Sequence, residues 1–204
     1  MRIELVMQFN EAYAPMGVVA AKRAQQYANL HGYRCYIYRE FPKEQSQNPR
    51  WAKIARLSQQ IGMGCEYLFW MDADTVILNL DYELEDLMSG KGMDISQDSN
   101  GLCCGVFGIH ANRWGCDILA AWDFLGPKFG SHDFIADQVT LKLLEVEFPS
   151  VREQLSLISE KIVSNCECDV PGSFIHHYWA NNKDPKVVAG NMLDRIAREH
   201  AGLT

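Results

Sequence analysis

Tyr67-Leu-Phe-Trp-Met71-Asp72-Ala-Asp74-Thr-Val-Ile-Leu-Asn79 is an apolar run of strand length that ends in two carboxylates spaced i and i+2. Side chains alternate along an extended chain, so Asp72 and Asp74 converge on one point if the backbone stays extended there. Two anions at that distance repel unless a cation lies between them, and an all-oxygen pair favours a hard divalent ion, Mn2+ or Mg2+. Phosphate oxygens are common further ligands of such ions. The pattern therefore predicts a metal-phosphate site at the carboxyl end of a buried strand, where open α/β sheets bind ligands. The plainer alternative is an Asp pair that only caps a turn or a following helix. The buried-strand character of Tyr67–Met71 favours the metal.

Working outward, Ile3–Phe9 reads as a first buried strand, Asn10–Gly17 as a turn, Val18–Leu30 as a helix stopped by His31-Gly32, and Tyr33–Tyr38 as a second strand. That order is a βαβ unit with a parallel pair. Phe41–Arg50 is expected as a loop and Trp51–Ile61 as a helix. Beyond Leu80 the expectations are a short helix at Tyr82–Met88, strands at Asp94–Gln97 and Gly105–His110, and helices at Asn112–Leu125 and Ile135–Phe148, the latter with Asp133 as cap. Leu157–Val163 and Phe174–Tyr178 read as strands. Asp184-Pro185 opens a last helix over Lys186–His200. No repeat, low-complexity segment or linker interrupts this, so residues 1–204 are expected to form one α/β domain.

The 204 residues carry a formal net charge of −7, with 48% hydrophobic and 22% charged residues, a globular composition whose sign disfavours a nucleic-acid-binding face. Seven cysteines give an odd number, and Cys103-Cys104 and Cys166-Glu-Cys168 lack zinc-site spacing, so buried free thiols are expected. Met1-Arg-Ile-Glu-Leu-Val-Met enters a strand at once, and no apolar run approaches the ~20 residues of a membrane span. These features lead to the expectation of a cytoplasmic protein.

Several pieces occur in one order: Tyr27-Ala-x-x-His31-Gly32-Tyr33; Trp51-Ala-Lys53-Ile; the Asp72-Ala-Asp74 strand; Gly105-Val-Phe-Gly-Ile with Trp114 and Trp122; Asp137-Gln138 with Leu141; and Phe174-Ile-His-His177-Tyr. Together, over about residues 23–180, they resemble the GT-A-fold glycosyltransferases of the yeast galactosyltransferase and mannan-polymerase subunit family, a group that includes plant xyloglucan xylosyltransferases. The chain departs from the family where Arg23-Ala24 replaces Asn-Lys and Cys103-Cys104 replaces Asn-Ser. Most members of that family carry a membrane anchor, and none is expected here.

The resemblance implies a GT-A-type, Rossmann-like domain with a mostly parallel sheet. It implies transfer of a hexose or pentose from a nucleotide-diphosphate sugar to a glycan or other hydroxyl acceptor, with Mn2+ (or Mg2+) held by Asp72, Asp74 and a late histidine. His177 matches that histidine best, and His176 is its rival. Only one can reach the metal, because neighbours on an extended chain point opposite ways. Lys53 is expected near the donor pocket, snorkelling at the surface being its plainer reading. Lys183 is expected as a point charge for the diphosphate, or simply as a solvated lysine. Asp137 and Gln138 are the candidates at the reacting carbon, on the acceptor side and away from the diphosphate: Asp137 as base for the acceptor hydroxyl, or Gln138 as shield of an oxocarbenium-like centre. The alternative is a helix start stabilised by the macrodipole. Asp98 is a further acceptor-side candidate, and the base is expected near Gln8–Tyr13 at the exit of the first strand. Two rivals stay open. A haloacid-dehalogenase-like phosphatase would use the same Asp-x-Asp-x-Thr strand, and a non-catalytic sugar-nucleotide binder would need only the pocket. The chain can equally be a module of a longer glycan-building protein.

Overall fold

The computed structural model describes residues 1–40, 49–129, 136–165, 170–179 and 183–202. Among these, the elements run β1 (Ile3–Gln8), α1 (Ala14–His31), β2 (Arg34–Tyr38), α2 (Pro49–Gly62), β3 (Tyr67–Met71), β4 (Thr75–Ile77), β5 (Met93–Asp98) and β6 (Gly101–His110). They continue with α3 (Arg113–Phe129), α4 (Ala136–Glu147), α5 (Pro149–Glu153), β7 (Leu155–Leu157), β8 (Val163–Asn165), β9 (Ile175–His177) and α6 (Pro185–His200).

A six-stranded sheet has the order β2-β1-β3-β6-β5-β7. The β1/β2, β1/β3 and β5/β7 pairs are parallel, and β6 runs antiparallel between β3 and β5. The sheet is thus mostly parallel, as expected. β3 is apolar throughout, and β1 is apolar apart from Glu4 and the closing Gln8, because both of their faces are covered. Alternate side chains serve two cores. Leu5, Met7, Phe69 and Met71 pack with α1 and α6, whereas Val6, Leu68 and Trp70 pack with Trp51, Ile54 and Leu57 of α2 and Trp122 of α3. A second sheet, ordered β4-β9-β8, lies beside the first core.

Four local readings change. The α1 helix begins at Ala14 rather than Val18: Asn10 caps a 3-10 turn over Glu11–Tyr13, and Pro15 then sits in the first helical turn, where its missing N–H costs nothing. Gly17 therefore lies inside the helix, because the Phe9 ring fills the space of a Cβ, 2.7 Å from its position. Leu157–Val163 is not one strand. The Ser159 carbonyl accepts from the amides of Ile162 and Val163, turning the chain from β7 in one sheet to β8 in the other. Tyr82–Met88 holds only a 3-10 turn at Leu84–Leu87. The fourth change is at Asp72–Thr75, where the backbone turns instead of staying extended. Asp133, Cys166 and Cys168 lie outside the described residues, as does most of the expected Phe41–Arg50 loop. Cys35, Cys65, Cys103, Cys104 and Cys116 are free thiols.

Candidate metal and donor site

β3 ends where the sheet's carboxyl edge opens, and the turn after it is held at both ends. The Asp72 amide donates to the Gly105 carbonyl at 2.8 Å, and the Asp72 carbonyl accepts from the Thr75 hydroxyl at 2.7 Å and its amide at 3.2 Å. The tight turn, not an extended strand, brings Asp72 and Asp74 together. It also starts β4, which pairs antiparallel with β9 so that Thr75 faces His177. The Tyr178 amide donates to the Asp74 carbonyl at 2.9 Å, and His177 Nε2 lies 3.3 Å from Asp74 Oδ1. Asp72, Asp74 and His177 each offer a ligand atom, all within 4.8 Å of one another. Ligands about 2.1 Å from one Mg2+-sized ion sit up to roughly 4.2 Å apart, close to this span, and the mixed carboxylate-imidazole set suits Mn2+. The residues present therefore fit a divalent cation. His176 points the other way and meets Ser164 Oγ at 2.9 Å.

Lys53 reaches this site from α2 through the core. Its Nζ lies 2.8 Å from Asp137 Oδ2 and 3.3 Å from Asp72 Oδ1, donates to the Cys104 carbonyl at 2.9 Å, and stands over the Trp70 ring. With its side chain 5% exposed it is buried, so the snorkelling alternative does not hold. Burial alone would lower the ammonium's pKa, but Asp137 and Asp72 outweigh it and hold the group above the ordinary lysine value.

Asp72 keeps about a third of its side chain open to the cleft, yet the protein around it is dense enough to oppose its charge. That burial raises its pKa. Lys53 pulls it down, and Asp74 and Asp137 push it up again. Three carboxylates around one ammonium leave a local excess of negative charge that a divalent cation would balance. Burial also opposes charge on His177, but Cys103 and Asp74 overcome it and hold the ring well above the ordinary histidine value.

The remaining candidates fall into place around this centre. Asp137 and Gln138 occupy the first turn of α4. Gln138 Nε2 donates to Asp98 at the end of β5, 3.2 Å to Oδ1, so these two acceptor-side candidates touch. Asp137 stands nearer the aspartate pair than expected, separated from Asp72 by a single ammonium. Gln8 closes β1 with its Nε2 donating to the Glu40 carbonyl at 2.7 Å and its buried Oε1 without a partner among the described residues. Lys183 is exposed beyond β9, and its Nζ donates to the Tyr178 carbonyl at 3.0 Å.

Three contributors carried little sequence signal. Arg23 is buried in α1 and donates to the carbonyls of Ile77 (2.9 Å) and Leu78 (2.8 Å), tying β4 to the helix. Cys103 Sγ lies 3.4 Å from His177 Nδ1. Gly105 leaves room for the His177 ring: a Cβ there would stand 2.7 Å from Nε2. Arg23 and Cys103 both mark places where the chain departs from the family pattern, and that was the only hint of their roles.

Comparison with known proteins agrees with this geometry. The model of the galactosyl transferase GMA12/MNN10 family matches residues 18–93, the segment that holds Lys53, Asp72 and Asp74. Xyloglucan 6-xylosyltransferase 2 of Arabidopsis thaliana is 24% identical over 199 residues, covering 89% of this chain and 42% of that protein. A probable glycosyltransferase 6 of Oryza sativa subsp. japonica is 28% identical over 118 residues, 52% of this chain and 24% of that one. The chain thus spans less than half the length of the curated relatives it matches. Among solved structures, a glycosyltransferase involved in glycosylation of the major capsid of PBCV-1 superposes with a TM-score of 0.77 at 13% identity, covering 95% of this chain and 100% of that one. The galactosyltransferase LgtC, solved with donor and acceptor sugar analogs, gives a TM-score of 0.58 at 9% identity, covering 95% of each chain. At such identities the structures speak for the fold. The chain has the GT-A glycosyltransferase fold and, through the segment carrying its aspartate pair, resembles the galactosyl transferase GMA12/MNN10 family.

Proposed function

We propose that the chain is a metal-dependent glycosyltransferase that moves a hexose or pentose from a nucleotide-diphosphate sugar to a glycan or other hydroxyl acceptor. The observation that carries this reading is the convergence of Asp72, Asp74 and His177 at the carboxyl end of β3, within 4.8 Å of one another. A divalent cation, Mn2+ or Mg2+, would be held by these three residues and would offset the negative charge that builds on the departing diphosphate.

The protein's own groups have separable tasks in this reading. Lys53 neutralises Asp72 and Asp137 so that both survive burial beside one another. Gln8 and the following turn, through Tyr13, receive the nucleotide base, and Gln8 Oε1, without a partner among the described residues, is an acceptor suited to a base N–H. Lys183 contributes positive charge near the diphosphate. Asp137, Gln138 and Asp98 flank the reacting carbon and the acceptor. Asp137 removes the acceptor proton in an inverting transfer, whereas Gln138 shields the sugar centre in a retaining one.

Among the described residues no helix is long and apolar enough to cross a membrane. A cytoplasmic location, and service as a module within a longer glycan-building protein, belong to the proposal. The test is a panel of nucleotide sugars scored by thermal stabilisation with Mn2+ present, followed by product analysis with a radiolabelled donor. The correct donor at a hundredfold excess over its Kd should add about 2.7 kcal/mol of stability. EDTA should abolish that gain, and label should pass to a hydroxyl acceptor. Full donor binding and turnover in EDTA would overturn the metal reading, and release of inorganic phosphate from a monoester without sugar transfer would point to the phosphatase instead.

A further inference from the structure

Among the described residues, four hold His177. Its Nε2 faces Asp74 Oδ1 at 3.3 Å and its Nδ1 faces Cys103 Sγ at 3.4 Å. One face lies over Gly105, and its edge meets the Trp179 ring at 6.3 Å between centroids and 78°. Cys103 and Gly105 of β6 both lie against the imidazole and together form the wall on which it rests. Cys103 is 3% exposed, which shields this contact from bulk water.

A neutral imidazole carries one proton. For Nε2 to offer its lone pair to a cation beside Asp74, that proton must reside on Nδ1, and a buried Nδ1–H needs an acceptor. Among the described residues, the Cys103 sulfur lies at hydrogen-bond distance from Nδ1. We propose that Cys103 is a positioning residue for the cation site, accepting from His177 Nδ1–H and thereby presenting Nε2 to the ion. The inference rests on the reading of Asp72, Asp74 and His177 as that site. It goes beyond the reading by giving a task to a cysteine that stands where the resembled family has asparagine. Outer partners of ligating histidines fix ring orientation and tautomer, and their removal commonly costs 10–100-fold in metal affinity.

The test measures Mn2+ binding to donor-free protein by the paramagnetic resonance signal of free Mn2+, for wild type, Cys103→Ala, Cys103→Ser and His177→Ala. Cys103→Ala should weaken Mn2+ on the order of 10–100-fold, approaching His177→Ala. Cys103→Ser, whose hydroxyl oxygen also accepts from Nδ1–H, should recover most of the affinity. Electron spin-echo modulation from a directly bound imidazole nitrogen should be present in wild type and the serine variant and reduced in the alanine variant. Should the alanine variant fail to fold, Cys103→Val fills similar space without an acceptor and must show the same weakening. Wild-type affinity in Cys103→Ala or Cys103→Val, with His177→Ala weakened, overturns the positioning role and leaves the site reading standing. Equal, negligible Mn2+ binding by all of the proteins overturns the site reading and the positioning role with it.

Discussion

Lys53 is an ammonium in a core position, and its surroundings explain how it stays there. Burying an unpaired charge is far more costly than burying a paired one, and breaking a buried pair typically costs about 3–5 kcal/mol. Lys53 answers Asp137 at 2.8 Å, with both side chains under a tenth exposed, and reaches Asp72 at 3.3 Å. Lys53→Ala should therefore lose roughly 3–5 kcal/mol in urea denaturation, because Asp137 is left buried without its cation. A loss below about 1 kcal/mol would mean the ammonium behaves like a surface one. Asp74→Asn should keep the fold but lose measurable Mn2+ binding in a titration, and its melting temperature should fall somewhat, because the carboxylate, 13% exposed, pairs with His177 at 3.3 Å. At this scale the sequence was informative about which residues meet and less so about how. Asp72 and Asp74 do converge, but through a turn closed by Thr75, and nothing in the spacing distinguished that turn from extended chain.

Between elements, the site depends on β9 being laid against β4 while its histidine rests on β6. The β4/β9 register pairs Thr75 with His177, and Gly105 supplies the gap that the ring occupies. Gly105→Ala would place a methyl group 2.7 Å from Nε2, so the ring has to shift away from Asp74. The expected outcome is a loss of Mn2+ affinity at least as large as that of His177→Ala, with the far-ultraviolet circular dichroism spectrum unchanged. Unaltered Mn2+ affinity in that variant would show that the ring has room to spare. The long elements were visible in the sequence for a physical reason. β3 is buried on both faces and reads as an unbroken apolar run, β1 departs from one only at Glu4 and the closing Gln8, and α6 announces itself by Asp184 and Pro185. β4, β7, β8 and β9 have three residues each, too few to display a period: β4 is not read as a strand, β7 and β8 are run together, and β9 is given wider limits. Arg23 illustrates the same limit. Its carbonyl partners lie 54 and 55 residues away, and helical spacing alone says nothing of them.

On the scale of the whole molecule, the antiparallel β6 separates the parallel set β1, β2 and β3 from the β5/β7 pair. β1, β2 and β3, all parallel, end at the edge where Gln8 and the aspartate pair lie, the usual position for a ligand in such sheets. β5 and α4 bring Asp98 and Gln138 together beside this edge, and Asp137 on α4 stands one ammonium from Asp72, both carboxylates meeting Lys53 Nζ. The division predicts that donor binding and turnover respond to different residues. Gln138 bonds Asp98 and takes no part in the lysine cluster, so Gln138→Ala gives the cleaner test. Turnover should fall well beyond any change in donor-induced thermal stabilisation, the signature of an interaction made in the transition state. Asp137→Asn should cost on the order of 10²–10⁴ in rate if Asp137 is the base of an inverting transfer. Because that variant also weakens the hold on Lys53, its urea midpoint must be measured alongside, and only a rate loss exceeding the loss of folded protein counts. The anomer of the product, compared with that of the donor, assigns the course: retention implicates Gln138, and inversion implicates Asp137. Near-normal turnover in both variants would reduce the pair to a helix start and move the acceptor chemistry elsewhere on the β5–α4 flank.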